Sequence, residues 1–218
     1  MFNSVNVIGR GRVGSAVVAR LEERGVSLRE DAELVLLCVP DAAIAATARD
    51  LVPGRWVAHV SGATPLRALD PHTRRFGMHP LQTFTRSRGA EQLDGAWAAV
   101  TAESDEALQQ GHELARTLGL LPFDLDDDAR PLYHAGAAIA SNYLVTLHRA
   151  ASTLFELAGA PPEALVPLMT RTIENGFELT GPIARGDWST VDAHVRAIHD
   201  EAPELEPMYL ALAEATKP

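Results

Sequence analysis

Histidine side chains in distinctive motifs are the groups best suited to acid–base chemistry in this 218-residue sequence. His79 stands in Met-His-Pro-Leu-Gln-Thr-Phe, where Pro80 restricts the backbone, and His134 follows Tyr133 in a helical pattern. An imidazole can protonate the oxygen of a carbonyl group during its reduction, because the ordinary pKa of histidine is close to neutrality. We therefore expect His79 or His134 to be a proton donor. The alternative for both is a structural histidine that only hydrogen-bonds its neighbours.

Two further polar side chains are candidates for the same substrate site. Asn142 lies eight residues after His134, close to the same face of a predicted helix, and its amide can hydrogen-bond a carbonyl oxygen. Arg185 can hold a carboxylate in a bidentate manner. Alternatively, Asn142 bridges helices and Arg185 pairs with Asp187 across a turn. We interpret His59 as a structural residue.

A glycine-rich turn follows the first apolar run of the chain. Residues 5–8 predict a strand, Gly9-Arg-Gly-Arg-Val-Gly14 predicts a turn, and residues 15–23 predict a helix. Gly9 allows the tight turn, Gly11 lets a pyrophosphate approach the backbone, and Gly14 permits close packing of helix on strand. Phosphates would lie at the helix N-terminus, where free N–H groups and the helix dipole favour an anion. The predicted cofactor-binding residues are Gly9, Gly11, Arg12, Val13, Gly14, Val39 and Pro40.

The elements that position these residues alternate between strand and helix in the first half of the chain. Predicted strands cover residues 5–8, 34–39, 57–60, 96–101 and 119–125, and predicted helices cover 15–23, 42–51 and 106–118. This alternation is typical of a Rossmann-like α/β fold with a parallel sheet, in which ligands bind beyond the carboxyl ends of the strands. Pro40, Ser61 and Gly62 fall at such ends, so Ser61 and Gly62 are predicted to contact the substrate, with His79 following a strand.

The pattern becomes wholly helical after an acidic run at residues 124–128. Helices are predicted over residues 133–158, 162–179, 192–199 and 207–215. We therefore predict a dinucleotide-binding domain over residues 1–125 and an all-helical domain over residues 126–218.

The segment between the first helix and the strand at residue 34 is unusually short. Residues 24–33 cannot hold both a strand and a crossover helix, which needs a dozen or more residues. Residues 26–28 predict a stub of the second strand, and Arg29 and Glu30 lie where a ribose or its 2′-phosphate is expected. The adenosine half of the site is thus predicted to be truncated. The cofactor, NADP or NAD, is expected to bind weakly or not at all.

Several motifs occur in an order that resembles a known family. They are Val39-Pro-Asp41, His59-Val-Ser-Gly-Ala63, the His79 motif, Tyr133-His134 through Ser141-Asn-Tyr143, and Thr180-Gly-Pro-Ile-Ala-Arg-Gly-Asp187. Together with the glycine turn they resemble Rossmann-like oxidoreductases with a C-terminal helical domain of unknown function, DUF2520. These are relatives of the 6-phosphogluconate dehydrogenase-like and ketopantoate reductase-like enzymes.

The resemblance implies a nicotinamide-dependent reductase of a small carbonyl or imine substrate, a ketopantoate-like compound being one option. It also implies a homodimer formed through the helical domain, to which Tyr143, Leu147, Leu154 and Leu157 would contribute. Related reductases often have a lysine early in that domain, whereas this chain has Arg130, which can orient a carboxylate but cannot donate its proton. The alternative is a non-catalytic binding protein that kept the fold.

The composition of the chain excludes several classes of partner and of chemistry. The net charge is −10, with no concentration of basic residues, so nucleic acid and membranes are not expected partners. Lys217 is the only lysine, which excludes a lysine Schiff base in the folded body, and Cys38 is the only cysteine, which excludes a disulfide framework. We expect no metal site. No basic start precedes a long apolar core, so we expect a cytoplasmic protein without a secretory signal.

Overall fold

The computed structural model describes residues 2–217, and the chain divides into two compact units after Ile139. A seven-stranded sheet forms the centre of the first unit. Its strands are β1 (Ser4–Ile8), β2 (Ser27–Leu28), β3 (Leu34–Leu37), β4 (Trp56–His59), β5 (Arg75–Leu81), β6 (Trp97–Ala102) and β7 (Leu121–Asp124). The helices of this unit are α1 (Arg12–Glu23), α2 (Asp41–Arg49), α3 (Asp105–Thr117) and α4 (Arg130–Ala138). The predicted Rossmann-like α/β fold is confirmed.

The strand order is β2-β1-β3-β4-β5-β6-β7, and the first five strands in this order are parallel. The order reverses at β1, which lies between β2 and β3. In such sheets the reversal point opens a crevice at the carboxyl ends of the two central strands. Here that crevice lies beyond Ile8 and Leu37, next to the glycine turn.

The sheet is not parallel throughout, because β6 pairs with β5 in the antiparallel direction. The connection between them contains a 3₁₀ turn at Ala90–Leu93 where a parallel pairing would need a crossover helix. The buried Gln92 side chain holds this connection together: its Oε1 accepts from the Thr85 N–H at 2.7 Å, and its Nε2 donates to the Arg88 carbonyl at 2.9 Å. The chain therefore turns back at the same edge of the sheet. His79 lies within β5, so the expectation that it follows a strand was wrong.

Two hydrophobic clusters cover the two faces of the sheet. Alternate residues of each strand point to opposite faces, and one face packs against α1 and α3 through Leu21, Phe76, Val100 and Leu114. The other face packs against α2 through Val35, Leu37, Val57 and Ile44. This second face also carries His59, Gly77 and His79, since His59 pairs with Gly77 across the strands.

The predicted truncation after the first helix is confirmed. β2 has only two residues, and the chain then reaches β3 through turns without a helix. Hydrogen bonds to the Glu30 carbonyl hold this segment, from Arg55 Nη1 at 2.6 Å and from Asn6 Nδ2 at 3.4 Å.

The second unit is helical, and it has no strand within the residues that the structure describes. A π-helical turn at Ile139–Tyr143 follows α4 and leads into the second unit. The helices are α5 (Leu144–Leu157), α6 (Leu165–Glu174), α7 (Trp188–Glu201) and α8 (Glu206–Ala215). The predicted domain boundary after residue 125 coincides with the last strand, whereas the compact units divide later, because α4 belongs to the first unit. None of the helices described over residues 2–217 has the length and apolar character needed to cross a membrane.

Candidate functional site

The three glycines of the glycine turn differ in the space around them. Two of them have no room for a side chain, and the third has open space. Gly9 has φ +101°, and a Cβ there would lie 2.4 Å from the Cys38 carbonyl oxygen. A Cβ on Gly14 would lie 2.0 Å from the Gly9 carbonyl oxygen, so α1 packs directly on the turn. A Cβ on Gly11, in contrast, would meet no atom within 4 Å. Close packing therefore does not explain Gly11, and the backbone there is open to the approach of other atoms.

The N-terminus of α1 is suited to an anion. Gly11 is its N-cap residue, and the cap provides no side-chain hydrogen bond. The first turn also has no acidic residue. Free N–H groups and the positive end of the helix dipole therefore face the turn, as a pyrophosphate requires. Arg10 and Arg12 are exposed on either side of Gly11 and add positive charge. These residues fit the phosphates of a dinucleotide.

The adenosine side of the crevice is small. Beyond the two residues of β2, Arg29 places its Nε 3.4 Å from Asp31 Oδ1, and both side chains are more than half exposed. An exposed pair of this kind contributes little to stability. Arg29 is thus available to a phosphate group, although few other side chains follow β2 to enclose an adenine.

A histidine–tyrosine cluster lies at the same edge of the sheet, beyond β4. The Tyr133 hydroxyl is 2.7 Å from His79 Nδ1, and the His79 and His134 ring centroids are 6.3 Å apart. Gly62 borders both imidazoles: a Cβ there would lie 2.9 Å from His134 Cδ2 and 3.0 Å from His79 Nε2. The absence of a side chain at position 62 therefore allows both rings to approach the main chain at the end of β4.

Burial controls the protonation of His79 and Tyr133. It lowers the pKa of His79 to about 4, and the nearby charges of His134 and Arg130 act in the same direction, opposed by Asp41. Burial also raises the pKa of Tyr133 to about 12. At neutral pH His79 is thus a neutral imidazole and Tyr133 a protonated phenol. A neutral imidazole can polarise a carbonyl group through an N–H, as a hydrogen-bond donor.

A buried arginine holds this cluster in place. Arg130, only 1% exposed, donates from Nε to Asp127 Oδ1 at 2.9 Å and from Nη1 to the Ser61 carbonyl at 2.9 Å. Asp127 also accepts from the Leu66 backbone N–H at 3.0 Å. These bonds connect the start of α4, which carries Tyr133 and His134, to the loop after β4. Arg130 therefore positions the cluster, and its guanidinium is not free to hold a substrate carboxylate.

Ser61 and His59 make local hydrogen bonds. Ser61 Oγ accepts from the Thr64 N–H at 3.0 Å and donates to Thr64 Oγ1 at 2.8 Å. His59 is fully buried, and its Nδ1 accepts from the Ser61 N–H at 3.2 Å. Burial, reinforced by the Arg130 charge, lowers the pKa of His59 to about 3. His59 has the surroundings of a structural histidine, and a role of Ser61 in substrate binding stays a prediction.

Comparison with family models identifies a domain in this chain. The model of a domain of unknown function, DUF2520, covers residues 96–216, which is more than half of the chain. The chain belongs to the DUF2520 family. The match begins at the start of β6 and therefore does not include the glycine turn.

Solved structures show how the whole DUF2520 chain folds. Protein BF3122 from Bacteroides fragilis, provisionally named an NADP oxidoreductase, is 21% identical and has a TM-score of 0.81, with 97% of this chain and 96% of that chain covered. Protein TM1727 from Thermotoga maritima is 22% identical, with a TM-score of 0.77 and the same coverage. A 1-pyrroline-5-carboxylate reductase from Streptococcus pyogenes is 13% identical, with a TM-score of 0.61 and 98% and 96% covered. These similarities establish the Rossmann-like fold. Comparison with curated proteins gave no match.

The other predicted site residues of this DUF2520 protein lie in the second unit. Asn142 is exposed within the π-helical turn, where the 3.6-residue periodicity used to place it near His134 does not hold. Arg185 donates from Nη1 to the Thr180 carbonyl. Asp187 is the N-cap of α7 and accepts from the Thr190 N–H at 3.2 Å. The roles of Asn142 and Arg185 in substrate binding stay predictions.

The sequence does not indicate two contacts of the candidate site in this DUF2520 chain. Local sequence gives no sign that Tyr133 contacts His79, because 54 residues separate the two in sequence. Arg130, which the sequence indicates as a residue able to orient a carboxylate, is instead buried and holds the Ser61 carbonyl. The spacing of Asp127 and Arg130, three residues apart at the start of a helical pattern, was a signal for their pairing. Among residues 2–217, no cluster of three or more histidine, cysteine or acidic side chains could hold a metal ion.

Proposed function

We propose that this DUF2520 protein is a nicotinamide-dependent oxidoreductase that reduces a small carbonyl or imine group. The observation that carries the proposal is the position of two features at one edge of the sheet. The glycine turn, open at Gly11, lies beyond β1, and the His79–Tyr133–His134 cluster lies beyond β4. The named activities of the Bacteroides and Streptococcus proteins, an NADP oxidoreductase and a reductase, support the same class of reaction.

In this proposal the main chain at Gly9, Gly11 and Gly14 and the first turn of α1 hold the pyrophosphate. Arg12 and Val13 belong to that turn, and Val39 and Pro40 border it from the end of β3. Arg29 holds the 2′-phosphate, so NADPH is preferred to NADH. When bound, the nicotinamide supplies the hydride.

The two histidines then have different roles. Tyr133 keeps its proton and donates to His79 Nδ1, so that the proton of His79 lies on Nε2, which is 3.0 Å from the position of a Cβ on Gly62. His79 thereby donates a hydrogen bond to the substrate carbonyl oxygen. With a pKa of about 4, only about one His79 in a thousand is protonated at pH 7, so it is a poor proton donor. We assign proton donation to His134, which is exposed.

A non-catalytic binding protein remains the second candidate, and the two-residue β2 is the observation that favours it. A site with a reduced adenosine pocket loses charge-assisted hydrogen bonds, each of which contributes about 1.5–3 kcal/mol. Such a protein would bind the dinucleotide weakly and would have no turnover.

We also propose a homodimer formed through the second unit. Of its described residues, only Leu165, Val191, Ile198 and Ala202 are buried. Many large apolar side chains are exposed there, among them Tyr143, Leu147, Leu157, Phe177 and Trp188. Apolar surface on this scale is typical of protein interfaces.

Titration with NADPH, followed by cofactor fluorescence, tests the cofactor. Gly11→Ala adds a Cβ that meets no protein atom, so its free energy of unfolding should change little. The same Cβ blocks the approach of phosphate to the backbone and should weaken NADPH binding about tenfold or more. Gly136→Ala is the control, because that position in α4 also has open space. Equal NADPH affinity in wild type and Gly11→Ala would contradict the assigned phosphate site.

Turnover separates the two candidate functions. His134→Ala should lower kcat by about 10²–10⁴-fold and leave the NADPH affinity unchanged, because a proton donor acts only on the chemical step. Tyr133→Phe should give a smaller loss, since His79 remains present. If wild-type protein binds no NADPH, the reductase proposal fails.

A further inference from the structure

An apolar strip extends the candidate site along the edge of the sheet. Leu81, Trp97 and Leu121 are direct neighbours across three strands, because Leu81 pairs with Trp97 in β5–β6 and Trp97 pairs with Leu121 in β6–β7. Side chains of directly paired residues lie on the same face of a sheet. Their exposed fractions are 39%, 53% and 46%, whereas most strand residues around them are buried. We name these three residues the edge strip.

The edge strip lies on the same face as His79. His79 pairs with Ala99, and Ala99 pairs with Phe123, in the row next to the edge strip. Leu81 is two residues after His79 in β5, which places their Cα atoms about 7 Å apart. The intervening residues Pro80 and Ala98 point to the opposite, buried face. The histidine cluster and the edge strip therefore form one continuous surface.

Aromatic rings connect the two ends of this surface. The Trp97 and Phe123 ring centroids are 6.2 Å apart, those of Phe123 and Tyr133 are 6.0 Å apart, and those of Tyr133 and His79 are 5.6 Å apart. All three contacts are edge-to-face, the arrangement that aromatic pairs prefer. A wall of apolar surface thus leads from the reactive imidazole to the exposed indole of Trp97.

The direction of the strands places the edge strip beside the proposed reaction site. Leu81 ends β5, and Trp97 and Leu121 begin β6 and β7, which run in the opposite direction. All three residues therefore lie at the edge where β1, β3 and β4 end, the edge of the glycine turn and of Gly62. Exposed apolar side chains next to a polar cluster are typical of a ligand site, in which polar groups orient the ligand and apolar groups bury it.

We propose that the edge strip binds an apolar side chain of the substrate. The substrate class is then a carbonyl or imine compound with a branched aliphatic or aromatic group, and small unbranched compounds are poor substrates. This inference rests on the proposed function, because it assumes that the reacting carbon lies at His79 and His134. Leu81 and Trp97 would contact an apolar group of the substrate that lies about 7 Å from that carbon, the distance that separates two alternate residues of a strand.

Two 2-oxo acids that differ only in the side chain test the proposal. Binding of pyruvate and of 4-methyl-2-oxopentanoate to the full chain is measured by calorimetry, with and without saturating NADP. Wild type should bind 4-methyl-2-oxopentanoate at least tenfold more tightly, since even one methylene group in an apolar pocket changes affinity about tenfold or more. Trp97→Ala should reduce this ratio to less than threefold, and Leu121→Ser should reduce it in the same direction. Val52→Ala is the control, because Val52 is 69% exposed and lies outside the edge strip.

The results separate this inference from the proposed function. Three results would overturn the edge strip as a substrate site, whether or not NADPH binds. They are equal affinity for the two acids, no binding of either acid, and an affinity ratio that is unchanged in both Trp97→Ala and Leu121→Ser. Dissociation of a wild-type oligomer on Trp97→Ala substitution would also overturn it, because a second copy would then cover the strip. Selective binding of the branched acid by a protein that does not bind NADPH would support the apolar site and refute the reductase.

Discussion

Two buried nitrogen atoms under β5 have no hydrogen-bond partner in the described part of the chain, His59 Nε2 and Arg130 Nη2. Both side chains lie against Gly77, where a Cβ would be 2.0 Å from Arg130 Nη2 and 3.1 Å from His59 Cε1. His59 Nδ1 accepts a hydrogen bond, so the proton of the neutral ring is on Nε2. Two donors thus point into one small region, and a further charge on His59 would be strongly unfavourable there.

Stability should therefore fall as the pH falls from 6.5 to 5. The folded-state pKa values of His59 and His79 are about 3 and about 4, below the ordinary value of 6.5, so the unfolded chain binds more protons in this range. For each pH unit of decrease, each of the two histidines lowers the free energy of unfolding by up to about 1.4 kcal/mol. Urea unfolding at pH 7, 6 and 5 measures the slope, which should be smaller in His59→Gln.

His199 provides the contrast for this experiment. Its exposed ring is 2.8 Å from Glu206 Oε2, which raises its pKa. The stability that it contributes is present at low pH and is lost as the pH rises through its folded-state pKa. In His199→Gln the free energy of unfolding should therefore still decrease as the pH falls from 6.5 to 5. The same slope in wild type and His59→Gln would contradict the assignment to His59.

At the scale of elements, an ion pair at the start of α4 holds this helix to the loop after β4, through the Ser61 carbonyl and the Leu66 N–H. Asp127 and Arg130 are joined at 2.9 Å, and the side chains are 31% and 1% exposed. Removing the arginine takes the Arg130 donor from the Ser61 carbonyl and leaves the Asp127 carboxylate with only the Leu66 N–H as a partner. Loss of one member of a buried pair costs more than loss of an exposed pair, because the remaining charge stays desolvated.

Arg130→Met should lower the free energy of unfolding by about 2–4 kcal/mol, less than for a wholly buried pair because Asp127 is partly exposed. In a double-mutant cycle with Asp127→Ala, the coupling should be about 1–3 kcal/mol. Chemical denaturation measures both. Arg171→Met is the control, because its pair with Glu174 is exposed on both sides and should cost less than about 1 kcal/mol. Additive effects of the two substitutions would show that the pair is not coupled.

Local patterns predicted six of the seven strands but missed β5, and contacts between distant residues were not predictable. The spacing of Gly9, Gly11 and Gly14, between an apolar run and a helical pattern, predicts the strand, turn and helix of residues 4–23 from local sequence alone. The ten residues 24–33 similarly limit the length of the connection that leads to β3, and β2 is as short as this limit predicts. The contact between His79 and Tyr133 depends on where β5 and α4 lie in the fold, which local spacing does not encode. The reversal of β6 depends on Gln92 and the loop that it holds.

At the scale of the whole molecule, assembly is the main prediction. The apolar side chains of α5 repeat on one helix face, at Leu147, Leu154 and Leu157, following Tyr143. Three of these four are exposed, Tyr143 at 58%, Leu147 at 39% and Leu157 at 51%. A face of this kind is stable in water when a second copy covers it.

Sedimentation velocity should therefore show a dimer at micromolar concentration. We expect the dimer interface to bury more than about 1,000 Å² in total. Leu147→Glu places a charge on the apolar face and should produce monomers, because a buried charge without a partner is strongly unfavourable. Val52→Glu introduces the same charge on an exposed residue of the first unit and should leave the dimer intact. Monomeric wild type would rule out this assembly.

The reversal of strand direction between β5 and β6 has a consequence for recombination. The part shared by the DUF2520 family begins at residue 96, so the boundary between general and family-specific sequence runs through one hydrogen-bonded sheet. Six residue pairs cross this boundary, from Phe76–Ala102 to Leu81–Trp97. A chimera that takes residues 1–95 from another Rossmann-like protein must therefore preserve a matching strand edge as well as a cofactor turn. The sequence of one half therefore restricts the sequences that the other half can accept across that edge.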